Sequence, residues 1–236
     1  MRLDAYLMDA GFFESRSKAQ AAIAQGEVWL DGVPVFKSAL EVDSTSPIRI
    51  LEKNRYVSRA GGKLAAFLPQ CGIIVANKNC VDVGSSTGGF TQVLLEEGAA
   101  KVCAVDVGTS QLHVSLYSHP KVSVYEQTNV RDFSPPYEVD ILTCDLSFVS
   151  TTSLLGAIES IGFKYAIILF KPQFEVGKDA KRNKRGVLRQ SAPIERAIRA
   201  FETQATSLGW KLLLTLPSAI KGKEGNEEIF YAFKRD

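Results

Sequence analysis

The sequence predicts an α/β protein built on a mainly parallel sheet covered by helices on both faces, with a small α+β unit in front of it. Three observations carry the prediction. From Cys80 onward, strand-like and helix-like signals alternate to the end of the chain. The stretch CVDVGSSTGGFTQVLLEEGA, residues 80–99, runs from apolar residues (Cys80, Val81, Val83) through small ones (Gly84, Ser85, Ser86, Gly88, Gly89). It then returns to apolar residues at helical spacing (Phe90, Val93, Leu94, Leu95), the strand, tight turn and helix with which an open sheet presents a ligand. Residues 1–52 show a different pattern, two short helical faces and then an alternating run around Asp31-Gly32.

At 236 residues, 45% hydrophobic and 23% charged, the chain can bury a proper core as one large domain or as a small and a medium one. Its start, MRLDAYLMDAG, carries Arg2, Asp4 and Asp9 and lacks the apolar core of a signal peptide. Apolar runs such as Tyr165 to Phe170 fall far short of the roughly 20 residues a membrane helix needs. A cytoplasmic protein with no membrane partner is expected. Cys71, Cys80, Cys103 and Cys144 sit in apolar contexts without a C-x-x-C pair, which favours reduced thiols, and with only His113 and His119 beside them no metal is expected. A net charge of +2 requires that any nucleic-acid affinity come from local patches.

Along residues 1–52, Leu3, Leu7 and Met8 share a helical face that Gly11 ends; Ser15 or Ser17 can cap a second helix with Ala19, Ala22 and Ile23 on its apolar face. VWLDGVPV (28–35) then reads as a hairpin. Arg2, Leu3, Asp4, Ser15, Arg16, Ala19, Ile23, Gly26, Val28, Gly32 and Val35 together resemble the RNA-binding module named after ribosomal protein S-four. Acids and bases balance over residues 1–60, so an RNA contact would use one face, with Arg16, Lys18 and Lys37 as candidates. Residues 53–62 read as a basic joint whose Arg55 and Arg59, near Lys53 and Lys63, can meet phosphates, and residues 63–236 as the second domain.

In that domain, strands are expected near 80–84, 101–106, 122–126, 139–144, 165–170, 211–216 and 228–233. Helices are expected near 88–97, 109–116, 150–160 and 192–208, and the tight GKEGNEE turn suggests that the last strand is antiparallel. The glycine-rich turn discriminates among ligands. No lysine lies between Asp82 and Gly98, which argues against a nucleoside triphosphate, and G-x-x-x-G-G replaces the dinucleotide pattern G-x-G-x-x-G. Asp106 ends the next strand, where a carboxylate meets ribose hydroxyls, so a nucleoside without phosphates is implied. Here the chain resembles S-adenosyl-L-methionine-dependent methyltransferases: DVGSSTGGF looks like their first motif and Asp106 like their ribose-binding acid.

Methylating a hydroxyl needs a base, and a partly desolvated lysine among other cations can serve. TCDLSF puts Asp145 after the fourth strand, ILFKPQFE puts Lys171 after the fifth, and NEEIFYAF puts Glu227 and Glu228 before the last; Lys63 could join them. Parallel strand ends share one edge, and an antiparallel last strand returns its start to it. Lys-Asp-Lys-Glu in this order resembles the tetrad of FtsJ-type ribose 2′-O-methyltransferases. SRAGGKL, CDLSF, FKPQFEVG and GNEEIF resemble the TlyA family of that group, across nearly the whole chain. The resemblance implies a Rossmann-like seven-stranded methyltransferase sheet and the tetrad Lys63, Asp145, Lys171 and Glu228, with Lys171 as the base. It also implies cofactor contacts at Asp82, Gly84, Gly88, Phe90, Asp106, Asn129 and Asp145; Asn129 stands where the FtsJ type has an aspartate. Cytidine in ribosomal RNA would be the substrate, and the compact chain is similar to the shorter members, which act on the large subunit.

Other readings remain. Ser134-Pro135-Pro136-Tyr137 resembles the box of base amino-group methyltransferases, but it precedes the fourth strand instead of following it. Cys144 lies in an apolar run without an adjacent base, unlike a nucleophile. The family also carries a haemolysin label, which leaves a membrane-active protein as an alternative, and a non-catalytic RNA-binding factor is another. Residues 177–190 hold six basic side chains, among them Lys181, Arg182, Lys184 and Arg185, against Asp179 alone, and read as a mobile loop that closes over RNA.

Overall fold

The computed structural model describes residues 1–24, 26–43, 45–50, 56–177, 180–184, 186–189 and 191–235. The chain divides into two compact units, Met1–Arg55 and Tyr56–Asp236. Of the expected joint at 53–62, residues 53–55 lie outside the described residues, and Arg59 opens a helix.

The first unit has helices α1 (Leu3–Asp9) and α2 (Arg16–Ala24) and strands β1 (Val28–Leu30), β2 (Val33–Pro34) and β3 (Ile48–Ile50), in the antiparallel order β2-β1-β3. Leu3 and Leu7, one turn apart, meet Ala19, Ala22, Ile23, Val28 and Val42 in the core, whereas Met8 points to solvent. Leu30 pairs with Val33 across a two-residue turn in which Asp31 (φ 51°) and Gly32 (φ 77°) are both left-handed, the turn geometry whose twist matches the strands it joins. Strand β3 is too short for the sequence to announce.

The second unit carries a seven-stranded sheet of β4 (Asn79–Val83), β5 (Lys101–Val105), β6 (Val122–Tyr125), β7 (Ile141–Cys144), β8 (Tyr165–Phe170), β9 (Trp210–Pro217) and β10 (Ile229–Arg235). Its order is β6-β5-β4-β7-β8-β10-β9, with β10 antiparallel to both its neighbours, which is the expected Rossmann-like seven-stranded architecture. Order reverses at β4, flanked by β5 and β7, and such a switch opens a crevice at the strand ends. Helices α3 (Arg59–Cys71), α4 (Gly89–Glu96), α5 (Val114–Tyr117), α6 (Leu155–Ile161), α7 (Pro172–Glu175) and α8 (Ser191–Ser207) cover the faces. One face buries Phe170, Phe201, Trp210 and Tyr231; the other buries Leu64, Phe67, Phe90 and Phe230, with Phe67 and Phe230 stacked at 4.6 Å. Burying such a side chain contributes about 2–3 kcal/mol.

The helix expected over 109–116 is shorter, because the Glu126 carboxylate accepts the N–H groups of Ser110 (2.6 Å), Gln111 (2.7 Å) and Leu112 (3.0 Å). Those amides are held in a turn, so α5 begins only at Val114. All four cysteines are free: Cys80, Cys103 and Cys144 are buried and Cys71 is half-buried. Burial pushes the Cys80 thiol up to about 12 and the Cys144 thiol higher than its ordinary value, which leaves both unreactive.

Among the described residues of the first unit, one charged residue is fully buried. Asp4 accepts from Arg2 Nε (3.0 Å) and Nη2 (3.0 Å), from Gln20 (2.6 Å) and from Arg16 (3.0 Å). These donors, Arg2 first, hold its carboxyl well below the usual carboxylate range. An acid stabilised in its charged form loses that stabilisation on protonation. The protein is therefore expected to keep this contribution above about pH 4, the ordinary carboxylate value, and to lose it progressively below. In urea unfolding at stepped pH, Asp4→Asn should be less stable than the wild type at neutral pH and should narrow the difference as the pH falls.

Candidate active site

Sheet register brings the chemistry to one edge. Val83 of β4 pairs with Val105 and with Cys144, so Gly84, Asp106 and Asp145 leave three neighbouring strands side by side. Ile229 of β10 pairs with Phe170 of β8, so Glu228, just before β10, faces Lys171, just after β8. Lys63 arrives from α3, whose start packs against the start of α4: at Gly89 a Cβ would fall 2.7 Å from the Gly61 nitrogen, so only glycine permits this approach.

The charged side chains at this edge form two buried pairs. Lys63 Nζ lies 2.5 Å from Glu228 Oε2, with the side chains 8% and 4% exposed, and Gln173 Nε2 donates to Glu228 Oε1 at 3.1 Å. Lys171 Nζ lies 2.6 Å from Asp145 Oδ1 and donates to Ser147 Oγ at 2.7 Å. The Lys171–Asp145 contact is a charge contact outside hydrogen-bond angles, and Asp145 Oδ1 has no hydrogen-bond partner among the described residues. Removing one member of a buried pair strands the other, at a typical cost of about 3–5 kcal/mol, so each side chain fixes its partner.

Around the glycine-rich turn, Gly84 has φ 77° and a Cβ there would meet the Asp145 carbonyl oxygen at 2.9 Å; no other residue fits. Gly88, at φ 94°, precedes α4 and lies too close to Leu112 and Leu116 for a side chain. Asp82 is fully buried and accepts from Thr91 (2.7 Å) and Thr143 (2.9 Å); burial outweighs both hydroxyls and pushes its carboxyl up to about 6. Its place is under the turn, shaping it. Asp106 accepts from the amides of Ser86 (2.8 Å) and Gly108 (2.7 Å), one on each oxygen, and keeps a lone pair on each for another donor. Asn129 uses its side-chain oxygen to cap the short 3₁₀ turn Val130–Asp132 through the Arg131 amide (3.0 Å), leaving its NH₂. Phe90 is 2% exposed and packs with Phe230 at 6.1 Å, so its ring belongs to the core, and what it offers this turn is backbone at the first turn of α4.

The basic candidates separate. Lys37, Arg59, Lys181 and Lys184 are exposed. Lys18 pairs with Glu14, and Arg16 is half-exposed with its guanidinium on Asp4. Arg182 is spent on the carbonyls of Gln173 (3.0 Å), Ala180 (3.1 Å) and Gly177 (3.2 Å). Arg55 and Arg185 lie outside the described residues. The stretch expected to be a mobile loop is folded where it is described: Asn183 N bonds Val187 O (2.9 Å), Arg189 N bonds Lys181 O (3.1 Å), and Leu188 N donates to the Asn226 side chain (3.1 Å).

Three residues of the site escape sequence reasoning. Ser147 and Gln173 hold the lysine and the glutamate just described. Phe148 is 91% exposed at φ 65°, a strained conformation for an aromatic residue, with its ring 5.2 Å from Phe174. The signal was an aromatic three residues after Asp145 in DLSF. Tyr137 of the SPPY segment lies elsewhere, its hydroxyl donating to the Cys80 carbonyl near the start of β4 (3.4 Å).

The chain is similar to known proteins over both of its units. The family described as FtsJ-like methyltransferase matches residues 56–235, and the S4 domain matches residues 1–46. A Campylobacter jejuni protein named 23S rRNA (cytidine-2′-O)-methyltransferase TlyA is 43% identical over 238 residues, covering 93% of this chain and 94% of its own. A Mycobacterium tuberculosis protein named 16S/23S rRNA (cytidine-2′-O)-methyltransferase TlyA is 39% identical, covering 97% of this chain and 88% of its own. Among solved structures, a Lactococcus lactis protein named as a hemolysin is 37% identical with a TM-score of 0.73, over 78% of this chain and 90% of that one. With a buried lysine-acid cluster at the edge where these folds bind their ligand, and with these matches over both units, the chain belongs to the TlyA group of the FtsJ-like methyltransferases, with an S4 domain at its front.

Proposed function

We propose that this protein methylates a ribose 2′ oxygen of cytidine in ribosomal RNA, in the large subunit, using S-adenosyl-L-methionine and Lys171 as the base. The observation that carries the reading is Lys171 Nζ held from two sides, by Asp145 Oδ1 (2.6 Å) and Ser147 Oγ (2.7 Å), on the same sheet edge as Gly84 and Asp106. The relatives' names support the choice of ribosomal RNA and of cytidine, and the 23S-specific name belongs to a relative matched over 94% of its length.

The turn fits the cofactor. Asp106 has the lone pairs for two ribose hydroxyls, Val107 beside it is 70% exposed and offers an apolar face to a purine, and Asn129 offers an amide. When bound, S-adenosyl-L-methionine supplies an electrophilic methyl carbon. The chain does the rest. A ribose hydroxyl seated against the remaining side of the Lys171 amine loses its proton to Nζ as its oxygen becomes nucleophilic, while Asp145 balances the ammonium charge that forms. Glu228 and Lys63 oppose each other next to this step and so add no net charge to the site. The exposed ring of Phe148 gives the target base a stacking platform, and such stacking contributes about 1–3 kcal/mol per base. Base amino chemistry is disfavoured because the SPPY segment lies at a strand start, away from this edge. No helix among the described residues is long and apolar enough to cross a membrane.

Lys171→Ala is expected to lower methyl transfer to large-subunit rRNA at least about a hundredfold, the usual contribution of a positioned base, while cofactor affinity in titration calorimetry stays unchanged. Residual activity close to wild type would assign the proton to another group. Replacing both Lys181 and Lys184 by alanine should weaken RNA binding and flatten its salt dependence by about one to two ions, leaving cofactor affinity alone.

A further inference from the structure

Gln173 stands out as the neutral side chain that donates to the buried Glu228 carboxylate just before β10. It follows Lys171 by two residues on α7, and its backbone carbonyl is pinned by Arg182 Nη2 at 3.0 Å. Its amide faces the site in the orientation that serves Glu228: Nε2 donates to Oε1 at 3.1 Å, and Oε1 of the glutamine is buried with no hydrogen-bond partner among the described residues. An unsatisfied buried acceptor is costly, so the fold gives up one hydrogen bond in order to feed the carboxylate. Turned over, the amide would set its oxygen against a carboxylate oxygen. The space is equally specific: a Cβ at Gly222 would lie 2.7 Å from Glu228 Oε1, so backbone closes in where a side chain would compete with the glutamine.

We infer that Gln173 is a positioning residue for methyl transfer, acting through Glu228. Lys63 holds one carboxylate oxygen and Gln173 the other, so the carboxylate plane is fixed and Lys63 with it. Because Arg182 fixes the Gln173 backbone, the hairpin that carries Lys181 and Lys184 and the carboxylate of the site are anchored to the same residue. This inference rests on the methyltransferase reading for its rate effect and on geometry alone for the contact.

Gln173→Leu keeps the volume and removes the donor. On unmodified large ribosomal subunits, kcat is expected to fall on the order of tenfold to a hundredfold, the rate equivalent of one hydrogen bond to a charged group, with the KM for RNA and the affinity for S-adenosyl-L-methionine unchanged. An unchanged kcat, or a loss carried by KM or cofactor affinity, would overturn the inference. Urea unfolding of Gln173→Leu, Glu228→Gln and the double variant reads the contact without catalysis: non-additive losses support it and additive losses overturn it. If the wild-type protein transfers no methyl group, the reaction assignment falls, and the unfolding cycle still decides whether Gln173 positions Glu228.

Discussion

Four ionisable side chains, Lys63, Asp145, Lys171 and Glu228, are held almost out of water at a single sheet edge, none more than 13% exposed, and everything else in the second unit accommodates that fact. Charges in such a place are tolerated only when opposed, and even opposed they rarely stabilise a fold better than apolar residues of the same volume would. Their presence therefore points to chemistry. The two pairs also divide the labour. One lysine is locked against a carboxylate that an amide holds from its other side, and the other leans on a carboxylate oxygen that retains acceptor capacity, next to a hydroxyl.

The topology explains why four residues spread over more than half the chain can meet. Parallel strands β4, β5, β7 and β8 all end at the same edge, and only a strand running the other way can begin there. The antiparallel insertion of β10 is thus what delivers a glutamate to the lysine that follows β8. Close approach finishes the job: Gly84 lets the β4 turn lie against the Asp145 backbone, and Gly89 lets α3 come near enough for Lys63 to reach across.

Much of this was legible in the sequence because it is written in periodicity and in strand ends. The seven strands of the second unit, the Asp31-Gly32 hairpin and the positions of Asp106, Asp145 and Lys171 follow from alternation and from where apolar runs stop; strand ends left Glu227 and Glu228 both open, and the family resemblance chose Glu228. What escaped has physical reasons. Strand β3 and helix α7 are too short to carry a period. Phe90 fits a ligand-facing motif and a core position equally well, and only packing against Phe230 decides. Arg182 reads as one base among six, yet its guanidinium is committed to the carbonyls of Gln173, Gly177 and Ala180. Gln173 carries no charge and no motif; its part depends on which way an amide faces, which no pattern of residue types encodes.

The central claim is that the Lys171 amine receives a proton from a ribose hydroxyl. A structure of the protein bound to its RNA and to a non-reactive analogue of the methyl donor tests it most directly. The account predicts a 2′ oxygen within about 3 Å of Lys171 Nζ, the target base lying on Phe148. A base amino nitrogen in that place, or a 2′ oxygen out of reach of Nζ, would contradict it.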